Sequence, residues 1–396
     1  MRKSSLLPPI ATVALSLFSP RADAVECPSL SHPVYVTGST AAKPLLAEIG
    51  KYMASLSPAI SVVYLGQGSC TGADAILNGT PLKGSGTTAL STWDTSGTEG
   101  KCDIPATTSI QADIGISDVF ATTCFNLPGG LPSNMGDFLG PVQAMVFATP
   151  KTSSEKSISA EAGYYVYGFG SASGVSPWTD ETKLFKRDEL SGTQRMIAAA
   201  IGVPADKWKG TGTSSSGDLL KKLTATSVGD GGLGILAADV AEDNRATVNV
   251  LAYQHTGQAC GYFPNRDLGS NEKMNVRDGH YAIWGALHLF TRLDSNGYPL
   301  NKEAGDVIGY LAGTKVAPSS LDLIYLEAQR HVVPPCAMRV KRTQEMGPLM
   351  SFSPTGACGC YFEKAANGAS TCQSCAKNAD CPKGRPVCSY GFCEAN

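Results

Sequence analysis

The chain has 396 residues, of which 42% are hydrophobic and 17% charged, with a formal net charge of −2. That length can hold two core-bearing lobes plus extras, and the composition is that of a soluble globular protein. Without a global basic field, neither nucleic acid nor an anionic membrane surface is an expected partner, so any affinity for an anion has to come from a local site.

Residues 1–24 read as an export signal. Arg2 and Lys3 give a basic start, Leu6 to Phe18 is mostly apolar despite Pro8-Pro9, and Ala22-Asp23-Ala24 fits the small-x-small cleavage pattern. No later run reaches the roughly 18 apolar residues of a membrane span, so an exported protein, periplasmic or at the cell surface, is expected. Val25-Glu26 before Cys27 is poor lipobox sequence, and no lipid anchor is expected. Thirteen cysteines suit an oxidising compartment, and their odd number leaves at least one thiol unpaired within the chain. Spacing does not fix their connectivity, although Cys102 with Cys124 is a plausible short-range bridge.

Past the signal, Val34-Tyr35-Val36 reads as a strand. The turn Gly38-Ser39-Thr40 follows, and Ala41 to Ser55 carries Leu45, Leu46, Ile49 and Met53 at helical spacing. Ile60 to Leu65 is a second strand, and Gly66-Gln67-Gly68-Ser69-Cys70-Thr71-Gly72 leads into a short helix over Ala73 to Leu77. From Asn78 to Thr108 the chain turns to Gly, Ser and Thr and reads as a long surface insertion. Ala112 to Asp118 is a short strand ending in Ser-Asp, Val142 to Ala148 a buried strand, and Gly163 to Phe169 a Tyr- and Gly-rich strand or turn. Trp208 to Gly217 reads as a polar loop, Asp218 to Leu223 as helix, and Gly231 to Leu236 as a glycine turn entering a strand. Ala282 to Phe290 is largely apolar, and Val307 to Leu311 and Leu321 to Gln329 read as late helices. Alternating strands and helices argue for α/β lobes with largely parallel sheets, whose ligands sit at the strand carboxyl ends.

The central stretch is Lys186 to Ile201, KRDELSGTQRMIAAAI. Ser191-Gly192-Thr193 should sit at a helix N-terminus, where backbone N–H groups lack intrahelical partners and the dipole favours negative charge. Arg187 adds a guanidinium fork suited to a tetrahedral oxyanion. A Ser N-cap beside a surface Arg reads the same residues without a ligand. The other segments decide between the two.

Four segments in order resemble the anion-contacting segments of the periplasmic phosphate-binding proteins of bacterial ABC transporters. They are Gly38-Ser39-Thr40, Gly66-x-Gly68-Ser69, Gly115-Ile116-Ser117-Asp118 and Arg187-x-Glu189-x-Ser191-Gly192-Thr193. The resemblance spans about Pro33 to Val340. It implies an α/β, two-lobed, hinged type II solute-binding fold, with 25–140 and 275–345 in the first lobe and 141–274 in the second. It also implies inorganic phosphate as ligand, bound by Thr40, Ala41, Ser69, Asp118, Arg187, Ser191, Gly192 and Thr193, with Ser39, Gly68 and Glu189 in support. Asp118 would accept the proton that phosphate still carries near neutral pH, which sulfate lacks, and Glu189 would orient Arg187. Asp118 could instead cap a neighbouring helix. A non-enzymatic, monomeric receptor delivering phosphate to a membrane permease follows, with no cofactor and no metal, and arsenate is expected to compete.

Residues 346–355 read as a linker to a module over 356–396, where seven cysteines lie between Cys358 and Cys393. A stretch so short needs bridges to hold a core. Cys372-x-x-Cys375 could begin a zinc site, but the module has no histidine and disulfides are expected. Two further readings of the whole chain are a phosphate-sensing or adhesion protein that retains the pocket, and a phosphate-ester hydrolase that uses it. No Gly-x-Ser-x-Gly, His-Glu-x-x-His or Gly-x4-Gly-Lys-Ser/Thr sequence supports the hydrolase.

Overall fold

Strand β1 (Pro33–Gly38) forms where the β-branched and aromatic run predicts it, and it lies parallel between β2 (Ser61–Gly66) and β3 (Ile114–Ser117). The computed structural model describes residues 25–395, so the expected export signal lies outside the described residues. With a period of two, neighbouring side chains of these strands go to opposite faces. Val34, Val36 and Val62 join Leu45, Leu46, Ile49 and Met53 of helix α1 (Lys43–Ala54), together with Val307 and Ile308 of the helix Lys302–Leu311. Tyr35, Val63 and Leu65 point the other way, onto Ala73 and Ile76 of α2 (Ser69–Leu77). Each fully buried aliphatic side chain contributes about 1.5–3 kcal/mol, so the turns that leave these strands rest on a stiff base.

The sheet does not stop at β2. Residues 78–108, expected as an insertion without regular structure, carry an antiparallel hairpin of Leu90–Trp93 and Glu99–Asp103 that extends it. Asp94 organises the turn by accepting from the amides of Ser96 and Thr98 at 2.8 and 2.9 Å. Strands of four and five residues are too short to declare a period in a Gly- and Thr-rich run, which is why composition hid them.

Strand β4 (Met135–Pro150) carries the chain from one lobe to the other. The second lobe adds β5 (Leu184–Arg187), β6 (Thr211–Thr213) and β7 (Leu233–Ala237), and β5 is parallel to both of the others. Met145 to Ala148 of β4 pair antiparallel with β7, whereas Met135 to Ala144 pair with β8 (Trp284–Arg292), which also pairs with β3. One continuous sheet therefore runs through both lobes, with β4 and β8 at the crossing. Helix α3 (Ala160–Phe169) corrects the strand-or-turn reading of that stretch. Ser159 caps it by accepting from the Ala162 amide at 3.1 Å, and Val166 and Tyr167 are fully buried. Helices α4 (Gly192–Ile201), α5 (Ser216–Leu223) and α6 (Ala238–Asp243) follow β5, β6 and β7.

Six disulfides form among the described residues, and Cys260 is free and exposed. The proposed Cys102–Cys124 bridge is not one of them. Cys102 pairs with Cys27 and Cys124 with Cys70, because Val25–Glu26 lies parallel to Glu99–Asp103 and the helix Ala121–Cys124 packs on α2. Nearness in sequence lost to nearness across the sheet. The cysteine-rich stretch, expected to stand apart, begins inside the second lobe's core. Cys358 is bonded to Cys336, and Phe362 of helix α7 (Gly359–Asn367) is fully buried in the same apolar cluster as Phe147 and Ile235. The expected linker carries a strand of its own, since Met350–Ser351 pairs antiparallel with Val340–Lys341.

Candidate functional site

Each of the four predicted turns leaves the carboxyl end of a strand: β1, β2, β3 and β5. They converge on one cavity of about 240 Å³. Ser39, Thr40, Ala41, Gly68, Ser69, Asp118, Arg187, Ser191, Gly192 and Thr193 all line it. This is below the roughly 300–1,000 Å³ of pockets that hold drug-sized ligands, a size for a small ion and a few waters.

The first turn is shaped by backbone geometry. Gly38 has φ of +125°, and a β-carbon there would run into the Ile116 backbone, so only glycine lets the Ser39 amide donate to the Ile116 carbonyl at 2.8 Å. Tyr64 locks the turn from behind, its hydroxyl donating to the Ser39 carbonyl at 2.6 Å.

Asp118 takes hydrogen bonds from both turns of the first lobe. Ser39 Oγ donates to Oδ1 at 2.7 Å and Ser69 Oγ to Oδ2 at 2.8 Å, while the Asp118 amide donates to Ser69 Oγ at 3.1 Å. Burial pushes its carboxyl above the ordinary aspartate value, and the two hydroxyls, Arg187 and His288 pull the other way. Two acceptor positions of the carboxylate are used, which leaves room for a ligand proton. The Ser69 proton is committed to Asp118 in this arrangement, so Ser69 can act on a ligand only by re-aiming it.

Arg187, at the end of β5, is 4% exposed. Its Nη1 donates to Ser216 Oγ at 2.9 Å and its Nη2 to the Ser214 carbonyl at 3.3 Å, while Nε has no hydrogen-bond partner among the described residues. The expectation that Glu189 holds the fork is corrected: Glu189 is exposed, and its carbonyl accepts from Arg195 Nε at 2.5 Å. An acidic neighbour two residues along a chain that is turning away from its strand points outward. Ser191 stands at the N-cap of α4 yet accepts no capping bond, so the plain helix-cap reading does not describe it.

The lobes touch at this place. The Cys70 amide donates to the Leu190 carbonyl at 3.1 Å, and a β-carbon on Gly192 would collide with Ser69 Oγ and Asp118 Oδ2. Gly192 is thus what allows the second lobe's helix to close onto the first lobe's carboxylate.

Sequence reasoning missed two further segments. Ser215, Ser216 and Gly217 line the cavity from the start of α5, as do Ala237 at the end of β7 and Asp239 and Val240 in the first turn of α6. The first had a signal, since Ser214-Ser215-Ser216-Gly217 before a helix repeats the small polar turn of Gly38-Ser39-Thr40. Ala237-Ala238-Asp239 had none beyond its place after a strand. Gln143 Nε2 donates to Asp239 Oδ1 at 2.9 Å. Burial, chiefly, pushes the Asp239 carboxyl up to about 6; Asp243 and Asp118 add to this and His331 opposes it.

No family model matches the sequence, and no curated protein matches it significantly. The fold is shared with solved structures. A Clostridium perfringens protein assigned to the phosphate ABC transporter substrate-binding proteins and solved with bound phosphate superposes with a TM-score of 0.51 at 12% identity, covering 76% of this chain and 99% of that one. An ABC-type phosphate transport receptor from Vibrio cholerae gives a TM-score of 0.49 at 12% identity, over 76% of this chain and 100% of that one. A human phosphate-binding apolipoprotein gives 0.46 at 16% identity, over 76% and 90%. The match to the Clostridium perfringens structure, with the single sheet shared by both lobes, makes the architecture the two-lobed α/β solute-binding fold, extended here by a disulfide-rich C-terminal stretch.

Proposed function

We propose that this protein binds inorganic phosphate in the interlobe cavity, without catalysis, as an extracytoplasmic solute receptor that hands it to an ABC-type permease. The observation that carries the reading is the pairing of opposite needs in the wall of one small cavity: a buried guanidinium, whose Nε–H has no hydrogen-bond partner among the described residues, and a buried carboxylate with lone pairs to spare. An oxyanion that still carries a proton answers both, giving acceptors to Arg187 and a donor to Asp118. Hydroxyls of Thr40, Ser191, Thr193 and Ser216 and the turn amides supply the remaining donors. Charge-assisted bonds contribute about 1.5–3 kcal/mol each, and micromolar affinity corresponds to about 8 kcal/mol net, so several must act together. The lobe crossing along β4 and β8 is the proposed hinge, with the ligand entering the open form and being enclosed on closure. Six disulfides fit an exported protein, and no described helix is long and apolar enough to cross a membrane.

Calorimetric titration with phosphate, sulfate and molybdate tests this. Phosphate should bind and sulfate should not, and Asp118→Asn should narrow the gap between them. Tighter binding of sulfate than of phosphate by the unaltered protein would end the proposal.

A further inference from the structure

The cavity holds two carboxylates and one guanidinium. Asp118 comes from the end of β3 and Asp239 from α6, on the far side of the lobe crossing, and both line the space that Arg187 faces. Asp239 is fixed there: Oδ1 accepts from Gln143 of β4, and the Val240 amide lies against the same carboxylate. Those two bonds leave part of its acceptor capacity open. The titratable groups around it are Asp118 across the cavity, Asp243 on its own helix and His331 behind, with Arg187 in the shared cavity wall. A dianion placed between two ionised carboxylates would meet more repulsion than one guanidinium offsets. One protonated ligand oxygen would satisfy one aspartate and leave the other facing an anionic oxygen.

We propose that Asp239 is a second specificity-determining residue of this site, accepting a second ligand proton, so that the enclosed complex carries two protons between the phosphate and the paired aspartates. This rests on the phosphate reading of the cavity. Which oxygen holds each proton does not matter to the count, because the coupled groups titrate together. Near neutral pH, free phosphate is a mixture of mono- and dianion. Binding the dianion to the ionised site therefore draws one proton from solvent, and affinity declines as pH rises. Burial and the neighbouring acids, which favour the protonated form of Asp239, act in the same direction.

The experiment is phosphate titration of the full chain at about pH 6 and about pH 8.5, in buffers of differing ionisation heat, with Asp239→Asn alongside. Unaltered protein should lose affinity by about tenfold per pH unit above neutrality and take up about one proton on binding at the higher pH. Asp239→Asn, whose amide can donate to an anionic oxygen, should flatten that dependence and bring the uptake close to zero. A merely structural link to Gln143 would lower affinity equally at both pH values. Proton uptake near zero in the unaltered protein at the higher pH overturns the inference without recourse to the variant, as does an unchanged pH slope in Asp239→Asn; the phosphate reading survives either result. Absence of phosphate binding at both pH values removes the phosphate reading itself, and this inference with it.

Discussion

The cavity turns and the C-terminal stretch from 368 to 395 are both rich in small and polar residues, yet opposite means hold them. Behind Ser39, Ser69 and Asp118 stand large apolar clusters built from both faces of β1 and β2. Along residues 368–395 only Cys393 and Glu394 are buried, and three bridges, Cys360–Cys372, Cys375–Cys388 and Cys381–Cys393, do the holding. A polar turn backed by a core can leave its donors free for a ligand. A polar stretch with no core of its own depends on covalent closure, which constrains the unfolded chain instead of burying surface.

The sharpest test of that contrast is the border between the two regions. Phe362 belongs by sequence to the cysteine-rich stretch and by burial to the body, and it lies 5.5 Å beneath the Arg277 guanidinium. Phe362→Ala should destabilise the whole second lobe by about 3–5 kcal/mol in denaturant unfolding. A loss below about 1 kcal/mol would return α7 to the tail.

Within the body, Arg187→Ala should weaken phosphate binding at least about 100-fold while moving the melting temperature little, because the lost interaction is with the ligand and burial of the guanidinium itself is costly. Equal losses of affinity and stability would show that Arg187 chiefly serves Ser216 and the Ser214 carbonyl.

Between the regions lies Glu345, in the turn that joins Val340–Lys341 to Met350–Ser351 and the last residue first assigned to the first lobe. Its two carboxylate oxygens are buried, and burial pushes the group up to about 7 despite His288, Arg342 and the Phe120 amide nearby. A carboxyl raised in the folded state favours folding while protonated. That stability is full below its unfolded value of about 4.3 and is lost as pH rises through about 7. Glu345→Gln should therefore be more stable than the parent at pH 8, by about 3–4 kcal/mol, and no different at about pH 4. A constant difference across that window would mean that the side chain, and not its charge, matters.

The smallest effects belong to the tail. Tyr390 is 55% exposed, and Tyr390→Ala should change stability by less than about 0.5 kcal/mol. Replacing Cys375 and Cys388 together by serine should loosen residues 368–395 in hydrogen exchange and leave phosphate affinity within about twofold. A larger fall in affinity would tie the tail to the cavity.

Local sequence determined the strand-turn-helix units and placed the four motifs. β1, β2 and β3 with their turns, and Arg187 followed by α4, follow from apolar periodicity, glycine and the helix start, all of which act within a dozen residues. The same locality misled at α3, where the cap at Ser159 outweighed a glycine- and tyrosine-rich composition. Tertiary structure alone decided which cysteines meet, that Ser216 and the Ser214 carbonyl hold Arg187 in place of Glu189, and that Asp239 shares a cavity with Asp118. Those facts depend on groups brought together across a sheet crossing from positions that can lie more than a hundred residues apart. No local propensity encodes such meetings, because they are set only when the cores on both sides close.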